Sequence, residues 1–511
     1  MAQGSKSDPV ELAAIAVRLH SEDPVAVAKV DLPEGTRFLL DGGVVELKQP
    51  IAAGHKVALA SIAAGQPVHR YGHAIGLARQ AIQPGEHVHT HNLAPEEFER
   101  DPAFGLAAQP VAMTPENERR TFRGYRRADG RTGTRNYVAV ISTVNCSAHA
   151  AREIARYFAL PGKLDAYPSV DGVIALTHGL GCPLRQELLQ RTLAGMARHP
   201  NIAACVLVGL GCETNHVHTL IERFGLHGTP RLVIQEMGGL RPTIEAGIAA
   251  VQALLPAAGA ARRTSRPISE LVVALECGGS DSWSGVTANP VVGLMVDELV
   301  RQGGTAVLAE TPEIYGAEHL LTRRAVSPEV GRQLLEQVRS WEEYARQAGL
   351  NLDENRSVGN AAGGLSTIYE KSLGAVAKGG STPLAGVLGY AEPVSGPGLL
   401  FMNTPGYDPV SVTGLVAGGC TLVAFTTGRG SVFGCKPAPC IKVGTHSALY
   451  RRMAGDIDLD AGRVLEGAAM PELAGELMGL VVAVASGQPS TSEAQGIGEE
   501  EFCPWNIEGT L

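Results

Sequence analysis

The organisation of this chain is set by one stretch, Glu270–Pro290, with the sequence ELVVALECGGSDSWSGVTANP. Its first part, Leu271–Leu275, is an apolar run of strand length, typical of a strand buried on both faces in a parallel sheet. A small and polar turn follows, and the next apolar run, Val291–Val300, begins after Pro290, which suits the first turn of a helix. The stretch therefore predicts a strand, a turn and a helix, the place where open α/β sheets bind ligands.

The turn itself carries groups that can bind a ligand or move a proton. Glycines let backbone N–H groups approach an anion closely, which predicts substrate binding by Gly278, Gly279 and Ser280. Carboxylates can transfer a proton or hold a metal, which predicts catalytic roles for Glu276 and Asp281. The alternative is an ordinary glycine-rich turn around a buried thiol.

Three other strand-like runs also end at a cysteine, so that four thiols follow predicted strands: Cys146, Cys182, Cys212 and Cys277. Parallel strands bring their carboxyl ends to one edge of a sheet, which predicts a thiol-lined site. We predict that Cys146, Cys182 and Cys277 bind iron, with Cys212 as a further candidate. An iron–sulfur cluster is one version of this hypothesis, although the spacing matches no compact ferredoxin pattern. Buried structural thiols are the alternative, and we adopt it for the remaining cysteines: Cys205, Cys420, Cys435, Cys440 and Cys503.

Two more strand-like runs end in charged residues. Thr305–Ala309 is followed by Glu310, a further candidate catalytic carboxylate. Leu422–Phe425 is followed by TTGRG, in which Arg429 could clamp an anion. This motif lacks the Lys-Ser/Thr of a phosphate-binding loop, and no GxGxxG opens a helix in the way that a nicotinamide cofactor would require.

Length and composition limit the possible functions. A chain of 511 residues is too long for one core and indicates about three domains. The net charge is −9 and basic residues form no block, so nucleic acid and anionic membranes are excluded as expected partners. We find no signal peptide and no apolar run of membrane-spanning length. Nine scattered cysteines favour reduced thiols and a cytoplasmic protein.

The pattern along the chain divides it into five parts. Residues 1–22 look like a lead-in, and residues 23–93 show short alternating strands typical of a small, mostly β domain. Residues 94–121 are rich in Pro and Glu and predict a linker. Residues 122–262 and 263–511 alternate strands with helices. We therefore predict an α/β protein with two α/β parts, each with a largely parallel sheet.

The β domain contains the histidine-rich segment GEHVHTHN, Gly85–Asn92. In a strand, alternate side chains share one face, so His87, His89 and His91 would point the same way. Neutral imidazoles grouped on one face are good ligands for iron, manganese or zinc. We predict these three histidines as metal ligands; a solvent-facing polar strand edge is the alternative.

Taken in order, the motifs of the chain resemble a known family, the altronate dehydratase/galactarate dehydratase family of sugar-acid dehydratases. The motifs are GHK (Gly54–Lys56), HVHTHN (His87–Asn92), GYRRADGRTGTRN (Gly124–Asn136), GLGCE (Gly209–Glu213), ECGGSDSWSGVTANP (Glu276–Pro290), GNAAGG (Gly359–Gly364), EKSLG (Glu370–Gly374) and TTGRG (Thr426–Gly430). The resemblance covers residues 23–511. It implies an N-terminal SAF-type domain, dependence on Fe(II) or Mn(II), and β-elimination of water from an aldonate or aldarate.

Within the family, the histidine triplet and the segment GAEHLL (Gly316–Leu321) resemble the altronate branch more than the galactarate branch. One departure concerns THGLGCP, because altronate members tend to carry an aromatic residue in the place of Leu180. The resemblance therefore implies a hydro-lyase that converts a sugar acid, D-altronate first, to a 2-keto-3-deoxy acid. Galactarate or another aldarate is the alternative substrate.

The elimination itself needs a base for the C2 proton, an electron sink at the carboxylate and an acid for the departing C3 hydroxyl. A divalent metal would provide the sink. We predict that His55 or Lys56 transfers a proton or binds the substrate carboxylate beside the histidine triplet.

Two other functions stay open at this point. A lyase of the same architecture could expel sulfite from sulfolactate, and a non-enzymatic sensor could bind a sugar acid without turnover. We expect a homo-oligomer, because most enzymes of this kind form symmetric assemblies.

Overall fold

The computed structural model describes residues 8–95, 103–182 and 186–507 of the chain. A strand-rich N-terminal region is followed by two regions in which helices cover parallel sheets. This mixed α/β architecture confirms the predicted fold class.

The N-terminal region consists of short strands joined by tight turns. In chain order its elements are β1 (Val10–Glu11), α1 (Leu12–Ile15), β2 (Ala16–Val17), β3 (Val25–Ala28), β4 (Arg37–Leu40), β5 (Gly43–Glu46), β6 (Lys56–Ala58), β7 (Pro67–Arg70), β8 (His73–Ala78), β9 (His87–Val88) and β10 (Leu93–Ala94). They form three sheets, ordered β1-β4-β5, β2-β3-β6-β9 and β10-β8-β7. The segment expected as a lead-in thus contributes β1 and β2, and Ala16 on β2 is buried.

The second region holds a four-stranded parallel sheet. In chain order its elements are β11 (Thr121–Arg126), β12 (Thr132–Gly133), β13 (Tyr137–Ser142), α2 (Asn145–Ala159), β14 (Gly172–Leu176), α3 (Glu187–Ala197), β15 (Ile202–Gly209), α4 (Val217–Phe224), β16 (Arg231–Val233), α5 (Leu240–Ala260) and β17 (Thr264–Pro267). The parallel sheet has the order β14-β13-β15-β16. A small antiparallel sheet, β12-β11-β17, joins the start of this region to its end.

In the part of the chain that the structure describes, helix α5 is long and apolar enough to cross a membrane by length and composition, which sequence inspection missed. In the structure, Val251 and Leu255 of α5 pack against Ile154 of α2 in the core of the second region. One such helix is weak evidence for a membrane span.

The third region holds a seven-stranded sheet. In chain order its elements are β18 (Val272–Cys277), α6 (Ala288–Arg301), β19 (Thr305–Leu308), α7 (Glu318–Thr322), α8 (Pro328–Ala348), α9 (Val358–Ala362), α10 (Ile368–Val376), β20 (Leu384–Leu388), β21 (Gly398–Met402), α11 (Asp408–Ala417), β22 (Leu422–Thr427), β23 (Cys440–Gly444), α12 (Ser447–Arg452), β24 (Leu459–Asp460), α13 (Met470–Ala485) and α14 (Thr491–Ala494). The sheet order is β20-β21-β19-β18-β22-β23-β24, and every pair in it is parallel. The strand and helix predicted around Glu270–Pro290 are confirmed as β18 and α6.

In both parallel sheets the chain adds strands first on one side of the first strand and then on the other. The chain passes from β18 to β19 on one side and later returns to β22 on the other. In the second region it passes from β13 to β14 and then to β15 across β13. Each sheet therefore has a topological switch point, where α/β proteins bind ligands outside the carboxyl ends of the strands.

The second and third regions are joined by buried polar contacts at the opposite edge. Asn201 donates from Nδ2 to the backbone oxygens of Thr421 and Pro437 at 3.1 and 3.0 Å. Nε2 of His199 lies 3.0 Å from the carbonyl oxygen of Cys420. These contacts hold the two sheets in a defined relation, because a buried polar group that lost its partner would cost about 1–3 kcal/mol.

Glycine at position 293 of α6 is required by close packing, which gives a stability prediction. A Cβ at Gly293 would lie 2.2 Å from the carbonyl oxygen of Ala377. We expect Gly293→Ala to lower the free energy of unfolding by about 1–3 kcal/mol. In the matched control Gly475→Ala, on the exposed face of α13, a Cβ has nothing within 4 Å, so the better helix propensity should raise it by about 0.5–1 kcal/mol. Denaturant unfolding measures both, and equal effects would contradict the packing argument.

Candidate active site

A cluster of imidazoles lies on the sheet of the N-terminal region that contains β6 and β9. Those strands are antiparallel, with Val57 opposite His87. His55 directly precedes β6, and its Nδ1 lies 3.0 Å from Nε2 of His87. The ring of His89 lies 5.0 Å from that of His55 and 5.3 Å from that of His87, between centroids. Three imidazoles are thus in mutual contact.

Burial keeps these imidazoles neutral. Burial, and then the neighbouring His55, lowers the pKa of His87 to about 3. Burial, and then Lys56, lowers the pKa of His89 to about 4. The pKa of His55 is also lowered, mainly by burial. Near neutral pH each ring therefore has a nitrogen lone pair, which a metal ligand requires.

The histidine triplet does not form a continuous strand as predicted. Strand β9 ends at Val88, and the chain turns through the following residues. Thr90 N–H donates to Nδ1 of His89 at 2.7 Å, and Nε2 of His89 lies 3.0 Å from the carbonyl oxygen of Ala361. His91 is exposed in the turn, with its ring centroid 5.4 Å from that of His87. The simple alternation of a strand therefore does not describe how the three rings are placed.

The geometry of the imidazoles fits a divalent metal at one pair. Two ligands at right angles, each roughly 2.1 Å from one ion, would be about 3.0 Å apart. Nδ1 of His55 and Nε2 of His87 have this separation. Nε2 of His55 lies 3.3 Å from the carbonyl oxygen of Ala362, and donation there leaves Nδ1 as the acceptor of a hydrogen bond from Nε2–H of His87. A metal at this pair would replace that hydrogen bond. Both ring nitrogens of His89 already have protein partners.

The imidazole cluster faces the switch point of the third region across the segment Gly359–Gly364. The carbonyl oxygen of Gly363 accepts from Ser282 N–H at 2.9 Å. A Cβ at Gly363 would lie 2.8 Å from Cβ of Asp281 and 3.2 Å from Cδ of Arg429. One side of this segment thus contacts the imidazoles and the other contacts the turn after β18.

The turn after β18 is held by Asp281. One oxygen of this buried carboxylate accepts from Trp283 N–H at 3.0 Å and from the Ser284 hydroxyl at 3.2 Å. The other accepts from the Thr445 hydroxyl at 3.0 Å and lies 3.9 Å from Nε2 of His446. Burial raises the pKa of Asp281. The Asp281 carboxylate therefore stabilises its own loop by accepting hydrogen bonds. Its neighbour His446 was missed by sequence reasoning.

Arg429 and Gly279 form the exposed part of the same turn, whereas Gly278 and Ser280 are buried. Gly279 has a φ of +64°, a left-handed conformation that favours glycine. Its carbonyl oxygen accepts from Arg429 N–H at 2.7 Å. The Arg429 side chain is exposed, and its positive charge contributes to the lowered pKa of His55. Gly278 and Ser280 flank this turn, so the predicted substrate-binding residues lie together.

A fully buried carboxylate joins the N-terminal region to the third region. Nζ of Lys56 donates to both oxygens of Glu370 at 2.9 Å and to the carbonyl oxygen of Gly364 at 2.8 Å. Arg70 also donates to Glu370, and to the hydroxyl of Ser282 at 2.8 Å. Burial alone would raise the pKa of Glu370, but Lys56 and Arg70 lower it to about 2. Lys56 therefore forms a buried structural ion pair, and its ammonium group does not face solvent.

The side chains of Glu276, Cys277 and Glu310 belong to a second, deeper cluster. Nζ of Lys378 lies 2.9 Å from Oε2 of Glu310 and 2.6 Å from Sγ of Cys277. Burial, and then Glu310, raises the pKa of Glu276. In the described part of the chain, two groups of acidic or thiol ligand atoms lie within 4.8 Å of one another: Cys277–Glu310–Glu313 and Glu276–Glu310–Asp408. A cation could bind here, but the Lys378 ammonium already neutralises Glu310.

The structure therefore divides the predicted site residues into three places. The imidazole cluster, Asp281, Arg429 and the glycine turn lie around the Gly359–Gly364 segment. Glu276, Cys277 and Glu310 lie in the deeper cluster. Cys146 and Cys182 belong to the second region. Sequence reasoning missed Arg70, Glu370, Lys378 and His446; EKSLG contains Glu370 but carried only the family resemblance.

Comparison with known proteins identifies the three regions of the chain. Three family models match consecutive parts of the chain: the altronate/galactarate dehydratase SAF domain at residues 14–96, the D-galactarate dehydratase/altronate hydrolase second domain at 124–259, and the D-galactarate/altronate dehydratase C-terminal domain at 268–510. The fold and the site thus define a class of enzyme in which a SAF domain contacts a two-part α/β region. The chain belongs to the altronate/galactarate dehydratase family.

Individual relatives cover nearly the whole chain. The chain is 36% identical to altronate dehydratase of Bacillus subtilis over 482 residues, which are 92% of this chain and 95% of the relative. It is 37% identical to altronate dehydratase of Escherichia coli over 93% of this chain and 96% of the relative. It is 35% identical to galactarate dehydratase (L-threo-forming) of Escherichia coli over 94% of each. The protein is therefore a sugar-acid dehydratase, a hydro-lyase with a small-molecule substrate.

The buried ion pair gives a prediction about domain docking and pH. We expect Glu370→Gln to destabilise the protein by about 3–5 kcal/mol at pH 7, because Lys56 and Arg70 would keep buried charges without a counter-charge. The pKa of Glu370 is about 2 in the folded protein, below its ordinary value of 4.5. Its contribution is thus fully present above pH 4.5 and is lost as the pH falls toward 2.

Denaturant unfolding of both proteins across this pH range measures the difference. Glu476→Gln, which removes an exposed pair with Arg463, should change stability by less than about 1 kcal/mol and is the matched control. A difference between Glu370→Gln and the unsubstituted protein that stays constant down to pH 2 would contradict the assignment.

Proposed function

We propose that the chain is a D-altronate dehydratase that uses Fe(II) or Mn(II) and forms a 2-keto-3-deoxy sugar acid and water. One observation carries this proposal: the segment Gly359–Gly364 contacts the neutral imidazole cluster on one side and the Arg429 turn of the third region on the other. Both altronate dehydratase relatives, at 36% and 37% identity, support altronate.

The metal would be held by Nδ1 of His55 and Nε2 of His87. In binding it, these two rings would give up the hydrogen bond between them. His91, in ring contact with His87, is the next available imidazole, while His89 would have to give up a backbone partner to bind. We favour this place over the Glu276–Glu310–Asp408 group because the Lys378 ammonium already neutralises Glu310, the central member of that group. When bound, the metal supplies a Lewis acid that withdraws electrons from the substrate carboxylate.

The protein would bind and orient the acid through its own charges. The Arg429 guanidinium can donate two parallel hydrogen bonds to one carboxylate, and the backbone N–H groups around Gly279 can approach the same carboxylate closely. Asp281 keeps this turn in place through the hydrogen bonds that it accepts from Trp283 and Thr445. It acts as a positioning residue in this proposal.

For the proton transfer we propose His446, next to Asp281. Its Nδ1 accepts from Leu449 N–H at 3.1 Å, so that Nε2 is the nitrogen facing the Asp281 carboxylate at 3.9 Å. The side chain is 29% exposed and can therefore exchange a proton with a substrate. Lys56 is fully buried against Glu370, which makes a positioning role more fitting for it than proton transfer.

The remaining proposals concern substrate range and setting. Galactarate is the second candidate substrate, because a galactarate dehydratase is 35% identical over 94% of this chain. We propose a cytoplasmic homo-oligomer, and the nine free cysteines support a reducing compartment.

Substrate identity is tested by a screen of the metal-loaded protein. We expect D-altronate to give 2-keto-3-deoxy product with a kcat/KM at least about tenfold above that for galactarate, a difference of about 1.4 kcal/mol in transition-state binding. Sulfolactate, assayed for released sulfite, should give no product. Faster turnover of galactarate would make galactarate the proposed substrate. Binding of these acids without turnover of any of them would contradict the dehydratase activity.

The two histidine roles predict different kinetic and analytical signatures. His87→Ala should lose bound metal and activity together. His446→Asn keeps an acceptor for Leu449 N–H and should keep the metal, but kcat should fall by about 10²–10⁴-fold. His227→Ala, at an exposed surface position, is the control and should behave like the unsubstituted protein. Metal analysis and steady-state kinetics measure these effects; full metal content in His87→Ala would contradict the ligand assignment.

A further inference from the structure

The second region has a switch point of its own, and three cysteines surround it. The sheet order β14-β13-β15 places the loops after these strands side by side at one edge. Cys146 follows β13, Cys182 follows β14 and Cys212 follows β15. We propose that Cys146, Cys182 and Cys212 hold an iron–sulfur cluster at this edge. These thiols belong to the second region and the imidazole cluster to the N-terminal region, and the proposal does not depend on which sugar acid is the substrate.

The register of the sheet aligns the three thiols. Ser142 of β13 is paired with Val208 of β15, and a cysteine follows each of these residues at the same distance of four positions. On the other side, Ile141 is paired with Leu176 of β14, which places Cys182 in the adjacent loop. Neighbouring strands are about 4.8 Å apart, so the three loops span about 10 Å.

Hydrogen bonds tie these loops together. The Asn145 N–H donates to the carbonyl oxygen of Leu180 at 2.8 Å, and its side-chain amide donates to that of His178 at 3.2 Å. On the other side of β13, Asn215 donates from Nδ2 to the carbonyl oxygen of Thr143 at 2.9 Å. The cysteine-bearing loops are therefore parts of one connected surface.

The thiols at this edge differ from the structural cysteines of the protein. Cys146, Cys182 and Cys212 are exposed, whereas Cys205, Cys420, Cys435 and Cys440 are buried. A free cysteine is ordinarily among the most buried residue types. Three exposed thiols around one switch point therefore indicate a role in binding and not in packing.

The surroundings of the thiols suit a bound cluster. Cys146 lies in the first turn of the 15-residue helix α2, and a helix N-terminus is a place where an anionic ligand is favoured. The Gln235 amide donates to Sγ of Cys212 at 3.4 Å, the type of N–H contact that tunes cluster sulfurs. A Cβ at Gly181 would meet nothing within 4 Å, so space is open beside Cys182. The fully buried Oδ1 of Asn215, in the loop of Cys212, has no protein partner.

The spread of the thiols favours a cluster over a single ion. Thiolates bound to one zinc ion, each at about 2.3 Å, lie within about 4 Å of one another. In the described part of the chain, neither group of ligand atoms within 4.8 Å includes any of these three cysteines. In a cubane-type iron–sulfur cluster each thiolate binds a different iron atom, so the thiolates lie farther apart than around a single ion. With three thiolates, one iron keeps a position open to an oxygen ligand such as a carboxylate.

Cys277 does not belong to this site. Its Sγ lies 2.6 Å from Nζ of Lys378 and 3.2 Å from Oε2 of Glu313, inside the buried cluster of the third region. The sequence pattern grouped it with Cys146 and Cys182 because all of them follow strands. Strand β18, which precedes Cys277, belongs to the seven-stranded sheet, however, whereas Cys212 follows β15 on the same sheet as β13 and β14.

The test uses the full chain, purified without oxygen and reconstituted with iron and sulfide. We expect inorganic sulfide at about four per chain, with broad visible absorption and a paramagnetic signal after one-electron reduction or oxidation. Each of Cys146→Ser, Cys182→Ser and Cys212→Ser should lose the sulfide and the absorption. Cys503→Ser should retain both, as the control thiol outside the site.

Two further measurements separate this site from the proposed catalytic metal. His87→Ala should lose mononuclear iron and keep the inorganic sulfide, whatever its activity. Circular dichroism and thermal unfolding should show that the serine variants stay folded, because the substituted side chains are exposed. Absence of inorganic sulfide, sulfide retained in all three serine variants, or a disulfide between two of these thiols in the reconstituted protein would overturn the proposal.

Discussion

The buried carboxylate of Glu370 is the contact on which the functional architecture depends. Lys56 and Arg70, from the N-terminal region, both donate to it, and all three side chains are almost completely buried. A charge of this kind is tolerated only with partners, because burying it alone would cost several kcal/mol. The three charges therefore define how the N-terminal region meets the third region. That relation brings His55, the neighbour of Lys56, to the carbonyl oxygen of Ala362.

The same arrangement explains why the candidate active site lies between regions. The imidazole cluster contributes uncharged nitrogen ligands, since burial lowers the pKa of its members. The switch point of the third region contributes the cation Arg429 and the glycine turn. A metal-assisted elimination needs both kinds of group around one acid. Each region supplies only one of them.

The two parallel sheets use their carboxyl edges for different groups. In the third region, the loops after β18 and β22 carry Gly279 and Arg429. In the second region, the segments that follow β13, β14 and β15 carry exposed thiols, with Cys146 in the first turn of α2. Both edges follow from the same topological rule for open α/β sheets. The rule places a ligand but does not select it, and the side chains make that selection.

The amino-acid pattern by itself determined the layers of this protein: apolar runs of strand length gave the parallel strands, and the turns after them marked the edges where binding residues lie. It also identified the histidine-rich segment and Arg429, since these are local features of composition and spacing. Only the tertiary structure decided which of these groups meet. It placed His55 beside His87, tied up both nitrogens of His89, and separated Cys277 from Cys146 and Cys182. The physical reason is that pairing between distant segments, such as Lys56 with Glu370, depends on how whole sheets dock. Strand periodicity is a local property and does not determine that docking.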